Sequence, residues 1–448
     1  MKFEQLPNEL IFDVFEYLNA IHIFRAFYGL NSRFNKLLNI SFKFYHLDFR
    51  SVSKYTFTNV CQQHLPLIID KVVTFYLADD DETPNLPEIF LSYNFTLDKF
   101  IHLKSLSLQS IRSFDILNKI ILQCHHLSYL THFKLIQCLF NNEENNLINN
   151  IWNLPKLIYC HIDDLINNIE DKINELLQTF QTDFWIKYHQ WFVRCDWNPS
   201  NAFSHAILYT LPYAFNDFHF INESYSKSTC PNEEDYWLYN QVQILQHENS
   251  ISNNFEYFPI QFPNISHLEI ILPFNEKFLS NIPSLNHLIS LDVTLLPGDS
   301  VYNQLQLLLN RAPHLHLLRF SHVSDLEIIL FKIHNRSIRR LDFFTKESML
   351  YSWYFNKEQC IALANSSLGR QCQTLVIDIK HRTNVNDLIN NMTNLQSLIF
   401  QCKDDKWNPK ISSSTNDELI QWLHEYLPST CLISRNTQQI SIIQVWIR

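Results

Sequence analysis

Leu288-Ile289-Ser290-Leu291-Asp292-Val293 returns with the same spacing of apolar residues as Leu315-His316-Leu317-Leu318-Arg319-Phe320 and again as Ile338-Arg339-Arg340-Leu341-Asp342-Phe343. Each segment carries an apolar residue, two others, an apolar residue, one other and an apolar residue. The last two apolar positions alternate with period two, which reads as a short strand with one buried face. The same triplet stands at Leu103/Leu106/Leu108, Leu130/Phe133/Leu135, Leu157/Cys160/Ile162, Ile265/Leu268/Ile270, Cys372/Leu375/Ile377 and Leu395/Leu398/Phe400, and Val72, Phe75 and Leu77 fit it as well. Neighbours lie 27 residues apart for 103→130, 130→157 and 288→315, and 23 apart for 265→288, 315→338 and 372→395. Self-similarity at such a period is the mark of a repeat architecture.

Helix-like runs separate the triplets. Phe114, Leu117, Ile120, Ile121 and Cys124 make one stripe; Leu305, Leu308 and Leu309 make a second, with Ser300 as its expected N-cap; Leu326, Ile329, Leu330 and Ile333 make a third. Proline precedes the first apolar position by two residues at Pro155, Pro263 and Pro313. A strand, a helix and a proline-marked return form one unit of a stacked array, which buries its apolar side only against its neighbours.

The polar positions inside the triplets are the candidate binding surface. They include Lys104, Ser107, His267, Glu269, Asp292, His316, Arg319, Arg339, Arg340, Asp342 and Gln396. In a strand these side chains stand opposite the buried ones. Their bland alternative is the wet side of a sheet.

At the other end, Leu6-Pro7-Asn8-Glu9-Leu10 opens a helical stretch. Proline suits a helix start, where its missing N–H costs nothing. Leu10, Ile11, Val14, Phe15 and Leu18 then share one side at helical spacing, with Glu9, Asp13 and Glu16 largely opposite. Ile23, Phe24, Phe27 and Leu30 define a second helix. A third carries Phe34, Leu37 and Leu38 behind a cap at Asn31 or Ser32. Three short helices make too small a core to stand alone, so this unit needs a partner surface.

The run Leu6-Pro7-x-Glu9-Leu10, Val14-Phe15-Glu16-Tyr17-Leu18 and Leu30-Asn31-Ser32-Arg33-Phe34-Asn35 resembles the F-box. The resemblance covers about residues 2–45. It implies docking on a Skp-type adaptor and, through it, on cullin and RING subunits. Leu6, Pro7, Leu10 and Ile11 would face the adaptor, with Phe15, Leu18 and Phe24 supporting or extending that surface. The triplets, in turn, resemble degenerate leucine-rich repeats, whose period is roughly 20–29 residues. They cover residues 65–170 and 240–448, without a consistent Asn/Cys ladder.

Other chemistry finds little footing. Three glycines in 448 residues, and no GxGxxG or GxxxxGK[ST], argue against phosphate-cradling loops. A net charge of −10 with no dense basic block argues against nucleic acid. No run of 18 apolar residues marks a membrane span, and the acidic residues in the N-terminal stretch do not fit a signal peptide. Ten scattered cysteines form no CxxC pair and read as buried free thiols. Cys61-x-x-His64 and Cys124-His125-His126 lack the paired ligands of a zinc site. Asp79-Asp80-Asp81-Glu82 reads as a solvated loop, and Asp163-Asp164 and Asp404-Asp405 as turns. No GxSxG or HExxH is present.

Residues 181–240 stand apart. Trp185, Tyr188, Trp191, Phe192, Trp197, Phe203, Tyr209, Tyr213, Phe215, Phe218 and Phe220 crowd there, with strands expected at Trp191–Trp197 and Ile207–Leu211. The segment is either an insertion or repeats too diverged to read. Its aromatics serve a core or a binding surface, and a hidden hydrolase would require a polar pocket among them. Ile440 to Arg448 alternates as a closing strand.

The expected fold class is therefore α/β. A three-helix F-box (1–45) precedes a leucine-rich-repeat-like solenoid, a right-handed strand–helix horseshoe (46–180 and 241–448), interrupted by the aromatic-rich segment (181–240). The expected role is a non-catalytic substrate receptor of a ubiquitin ligase, cytoplasmic or nuclear. It would need no cofactor or metal and contact neither nucleic acid nor membrane. Its protein substrate would meet Lys104, His267, Glu269, Asp292, His316, Arg319, Arg339, Arg340 and Asp342. The alternative is a repeat scaffold outside any ligase, its N-terminal helices serving as a cap.

Overall fold

The computed structural model describes residues 3–16, 18–38, 45–50, 52–79, 84–93, 95–138, 144–163, 169–197, 206–220, 225–247, 260–298, 300–323, 332–343, 354–405, 417–436 and 441–447. The chain is α/β and divides into two compact units. One is Met1–Tyr213 with Ser224–Glu233; the other is Ala214–Glu223 with Glu234–Arg448. Each is built on one large mixed sheet. The division runs through the aromatic-rich segment.

In the first unit, β1 (Tyr45–Asp48), β2 (Val72–Ala78), β3 (Ser105–Gln109), β4 (His132–Ile136) and β5 (Tyr159–Asp163) lie side by side in chain order, all parallel. The apolar triplets are aligned across them. Phe75 stands opposite Leu106, Leu106 opposite Phe133, and Phe133 opposite Cys160; Leu108, Leu135 and Ile162 form the next row. All of these are buried. The first apolar residue of each triplet sits just before its strand and is buried too, as at Leu103, Leu130 and Leu157. Register is set because a one-residue slip would turn every one of these side chains to the opposite face.

The sheet then changes direction. Strand β6 (Phe192–Trp197) and strand β7 (Ala206–Leu211) run antiparallel to each other, and β7 pairs antiparallel with β5. In the second unit, β8 (Asp217–Phe220) begins a new parallel run. The first unit's sheet is completed by β9 (Tyr225–Ser228) beside β6. The aromatic-rich segment is thus partly an antiparallel extension and partly a disguised repeat. Phe215, Phe218 and Phe220 occupy the triplet positions, with Phe218 opposite Leu245.

The second sheet continues in chain order through β10 (Ile244–His247), β11 (His267–Leu272), β12 (Ser290–Leu295), β13 (Leu317–Val323), β14 (Arg340–Asp342), β15 (Thr374–Ile379) and β16 (Ser397–Cys402), all parallel. Leu268, Leu291, Leu318, Leu341, Leu375 and Leu398 form one continuous buried row. It closes antiparallel, with β17 (Leu432–Arg435) at the edge and β18 (Ile442–Trp446) between it and β16. The closing strand expected from the alternation is β18. Its antiparallel sense was not expected.

Helices and turns connect the strands. The stripe from Phe114 to Cys124 is a helix, capped by Ser113 accepting from the Ile116 N–H, with Leu117, Ile120, Ile121 and Cys124 buried. Helix Val301–Arg311 buries Leu305, Leu308 and Leu309 as expected, but Ser300 makes no side-chain cap bond. That helix instead uses two buried glutamines to join the array. Gln304 exchanges two hydrogen bonds with the backbone of Phe274, and Gln306 does the same with His334. Of the third stripe, only Ile333 lies within the described residues. Its side chain is buried.

Candidate functional site

Two surfaces matter: the outer side of the N-terminal helices and the polar face of each sheet. The helices are α1 (Asn8–Glu16), α2 (Ala20–Phe27) and α3 (Ser32–Lys36). Asn31 caps α3, accepting from the Arg33 and Phe34 amides, and Asn19 caps α2. Arg33 ties the Leu-Pro start down, donating to the carbonyls of Glu4 and Leu6 and to Asn8 Oδ1. Asn19 also exchanges two hydrogen bonds with the Asp48 backbone on β1. Phe24 stacks on Tyr45 and His64, so the helices share one core with the first unit's sheet. The small-core problem is met by the chain itself.

Among the residues expected to face an adaptor, Pro7 is exposed, Leu10 is 48% exposed, and Leu6 and Leu18 are half-buried. Ile11, Phe15 and Phe24 are buried in the chain's own core. Ile11 is therefore moved from the contact surface to its support. Val14, one turn after Leu10, takes its place as an exposed apolar residue. Pro7, Leu10 and Val14 make one stripe. Leu30, 53% exposed, lies in the turn before α3.

The sheets' polar faces are ordered by the same repeat. The residue between the last two apolar positions of each triplet forms a row across neighbouring strands. In the second unit that row runs His219, Gln246, Glu269, Asp292, Arg319, Asp342. Gln246 donates to Glu269 at 3.0 Å. Arg319 lies between two carboxylates, 3.5 Å from Asp292 and 3.2 Å from Asp342, and Arg340 reaches Asp342 at 3.5 Å. His267 and Arg340 fall in the adjacent row of the same face.

Lys104, His316 and Arg339 are not on that face. Each precedes its strand by one residue, and its backbone carbonyl accepts two successive amides from the next repeat: Thr131 and His132, Arg339 and Arg340, Gln373 and Thr374. Gln396 holds the same position in its triplet. This position is the turn into the strand and gives its carbonyl to the next repeat; at Arg339 the guanidinium also donates to the Arg336 and Ile338 carbonyls.

Of the equivalent row in the first unit, only Ser107 was expected from the sequence to face a partner. The row runs Tyr76, Ser107, Lys134, His161, Tyr209, Arg194, and from Ser107 to Arg194 it is buried. Arg194 and Asp196 form an ion pair at 2.9 Å, and Tyr209 donates to Asp196 at 2.5 Å. The Tyr213 hydroxyl is 3.3 Å from His161 Nδ1. Lys134 and His161 were legible, since they stand at the row position of two recognised triplets. Asp163 is a buried strand residue and not a turn. Asp79 accepts from the Asn85 N–H at 2.7 Å, while Asp80 to Glu82 and Asp164 lie outside the described residues. All ten cysteines are buried free thiols, and burial raises those of Cys360 and Cys372 to about 12.

Asp378 on β15 extends the second unit's polar face one step beyond its triplet. It is 4% exposed, and its Oδ1 has no hydrogen-bond partner. Burial, with a smaller contribution from Asp342, lifts its carboxyl to about 7. An unfolded aspartate titrates near ~3.9. Its contribution to stability is therefore full below about pH 4 and is lost as pH rises toward 7. Asp378→Asn is expected to remove this component. In urea titrations at about pH 5 and about pH 8, the wild-type chain should lose on the order of 2 kcal/mol more than the variant on going to the higher pH. Equal losses would mean that Asp378 is an ordinary carboxylate.

Fold and site together define an α/β chain of stacked strand units, each sheet with one apolar and one polar face. No family profile matches it, and no curated protein does. A solved structure titled "Crystal structure of Rad7 and Elc1 complex in yeast" aligns over 87% of this chain and 86% of that one, at 14% identity and a TM-score of 0.34. At that score the likeness carries no weight for fold or role.

Proposed function

We propose that the chain is the substrate-recruiting F-box subunit of a cullin–RING ubiquitin ligase, its strand units forming a leucine-rich-repeat-like solenoid that holds the protein substrate. The observation that carries the reading is the apolar stripe of Pro7, Leu10 and Val14. A helix whose other side is locked into the core leaves it in solvent. Such a stripe suits helix-in-groove docking on a Skp-type adaptor. The chain performs no chemistry in this reading. It acts in the cytoplasm or nucleus by holding a substrate close to the ligase's other subunits.

Co-expression of the full chain with a Skp-type adaptor is expected to yield a stable complex. Leu10→Asp should weaken it by about thirtyfold or more, while leaving the thermal midpoint nearly unchanged because Leu10 is already half exposed. A wild-type chain that captures no adaptor sinks the reading.

One observation favours a second reading. The paired Asn19–Asp48 hydrogen bonds and the shared core make the helices a fitted end cap for the first sheet. On that reading the chain is a repeat scaffold outside any ligase, and Leu10→Asp changes no partner.

A further inference from the structure

We infer that Arg33 is a positioning residue of the proposed adaptor surface: its guanidinium fixes the Leu6-Pro7 entry, so that Pro7, Leu10 and Val14 are presented as one preformed stripe. This rests on the adaptor reading and names what holds that surface in shape.

The entry has no core anchor of its own. None of the residues from Glu4 to Leu10 is buried, and the first buried side chain of α1 is Ile11. A helix start held this loosely frays unless something ties it down. Arg33 does so from α3. Its Nη1 donates to the Glu4 carbonyl at 2.6 Å and its Nη2 to the Leu6 carbonyl at 2.6 Å, while Nε and Nη2 reach Asn8 Oδ1 at 3.0 and 2.6 Å. Each of these acceptors is neutral. The guanidinium acts here as a fork of donors and not as half of an ion pair.

Arg33 can do this because its own place is set. Asn31 accepts from both the Arg33 and Phe34 amides. Phe34 is wholly buried and meets the Phe27 ring at 5.3 Å, which in turn meets Phe15 at 4.9 Å. Neighbouring residues of α3 thus point different ways, Phe34 into the core and Arg33 out to the entry. The rigidity of the core reaches the first turn of the stripe through one side chain. A preformed surface does not pay to be ordered at the moment of contact, so this tether acts on affinity more than on folding. Lysine cannot replace it, because one ammonium does not span three acceptors as a planar fork does.

The test uses the full chain and a purified Skp-type adaptor. Arg33→Ala and Arg33→Lys should each weaken capture by about tenfold while leaving the thermal midpoint nearly unchanged. In the chain alone, hydrogen exchange at the Ile11 amide, which bonds the Pro7 carbonyl, should quicken in both variants. Arg25→Ala, which removes an exposed cation from α2, should leave both readouts unchanged. Asn8→Ala removes two of the four contacts. Its loss and that of Arg33→Ala should be far from additive in the double variant, as for two ends of one tether. Wild-type affinity in Arg33→Lys overturns the inference, since a point charge would then suffice. So does wild-type affinity in Arg33→Ala, or an equal loss in Arg25→Ala. A loss in Arg33→Ala with unchanged exchange at Ile11 overturns it too, because Arg33 would then be touching the adaptor itself. A wild-type chain that captures no adaptor overturns the ligase reading. The exchange measurement needs no adaptor, so the two failures are told apart.

Discussion

Arg194→Ala is expected to destabilise the first unit by about 3–5 kcal/mol, the usual cost of removing one partner of a buried ion pair. Arg194 is 2% exposed on β6, and Asp196, two residues on, faces the same way. Without the guanidinium, Asp196 keeps the Tyr209 hydroxyl but loses the positive charge at 2.9 Å. A buried carboxylate without its cation is the costliest state this site can adopt. Urea denaturation followed by tryptophan fluorescence should show the loss. Replacing the group together, with Arg194→Met, Asp196→Leu and Tyr209→Phe, should recover most of it, because a packed apolar set is often as stable as a buried pair. A loss below about 1 kcal/mol in Arg194→Ala would show that the pair does not hold the sheet.

Gly369→Ala is expected to be comparably damaging, by about 3 kcal/mol or more. Gly369 lies in the short helix Ser367–Gln371, which turns tightly back on helix Lys357–Asn365. Ser366 makes the turn. Its amide and hydroxyl both donate to the Leu363 carbonyl, and its hydroxyl accepts from the Gly369 amide. A Cβ at Gly369 would stand 1.9 Å from the Leu363 oxygen and 2.8 Å from its carbonyl carbon. Backbone would have to move, since no flexible side chain is there to yield. Thermal denaturation of the variant checks this. A midpoint shift no larger than that of an exposed Gln→Ala change would show that the two helices separate at little cost.

The repeat was legible because its physics is local. Burial on one face forces period two within a strand, and stacking forces the same triplet to return, so Leu288/Leu291/Val293 and its relatives could be read directly and fall in register. Reading stopped where other residues filled the same places. Phe215, Phe218 and Phe220 are a triplet written in aromatics, and Val242, Leu245 and His247 one that ends in a buried histidine. Neither deviates in geometry, only in residue type.

The N-terminal stripe illustrates the other limit. Helical spacing placed Leu10, Ile11, Val14 and Phe15 on one broad side, but it does not say which of them meets the rest of the chain. That depended on Asn19 bonding Asp48 and on Phe24 stacking against Tyr45 and His64, contacts between residues far apart in sequence. Ile11 and Phe15 went inward, and Leu10 and Val14 stayed in water.

By itself, then, the sequence determined the class of fold, the strand register and the rows in which polar residues stand, because each follows from a short-range period. Tertiary structure alone decided which of those polar residues are satisfied. Arg319 finds two carboxylates on neighbouring strands, Arg194 one within its own strand, and Asp378 is left with one buried oxygen that accepts no hydrogen bond. Pairing of charges depends on what folding brings within a few ångströms, and no periodicity along a single strand encodes the identity of the residue on the next.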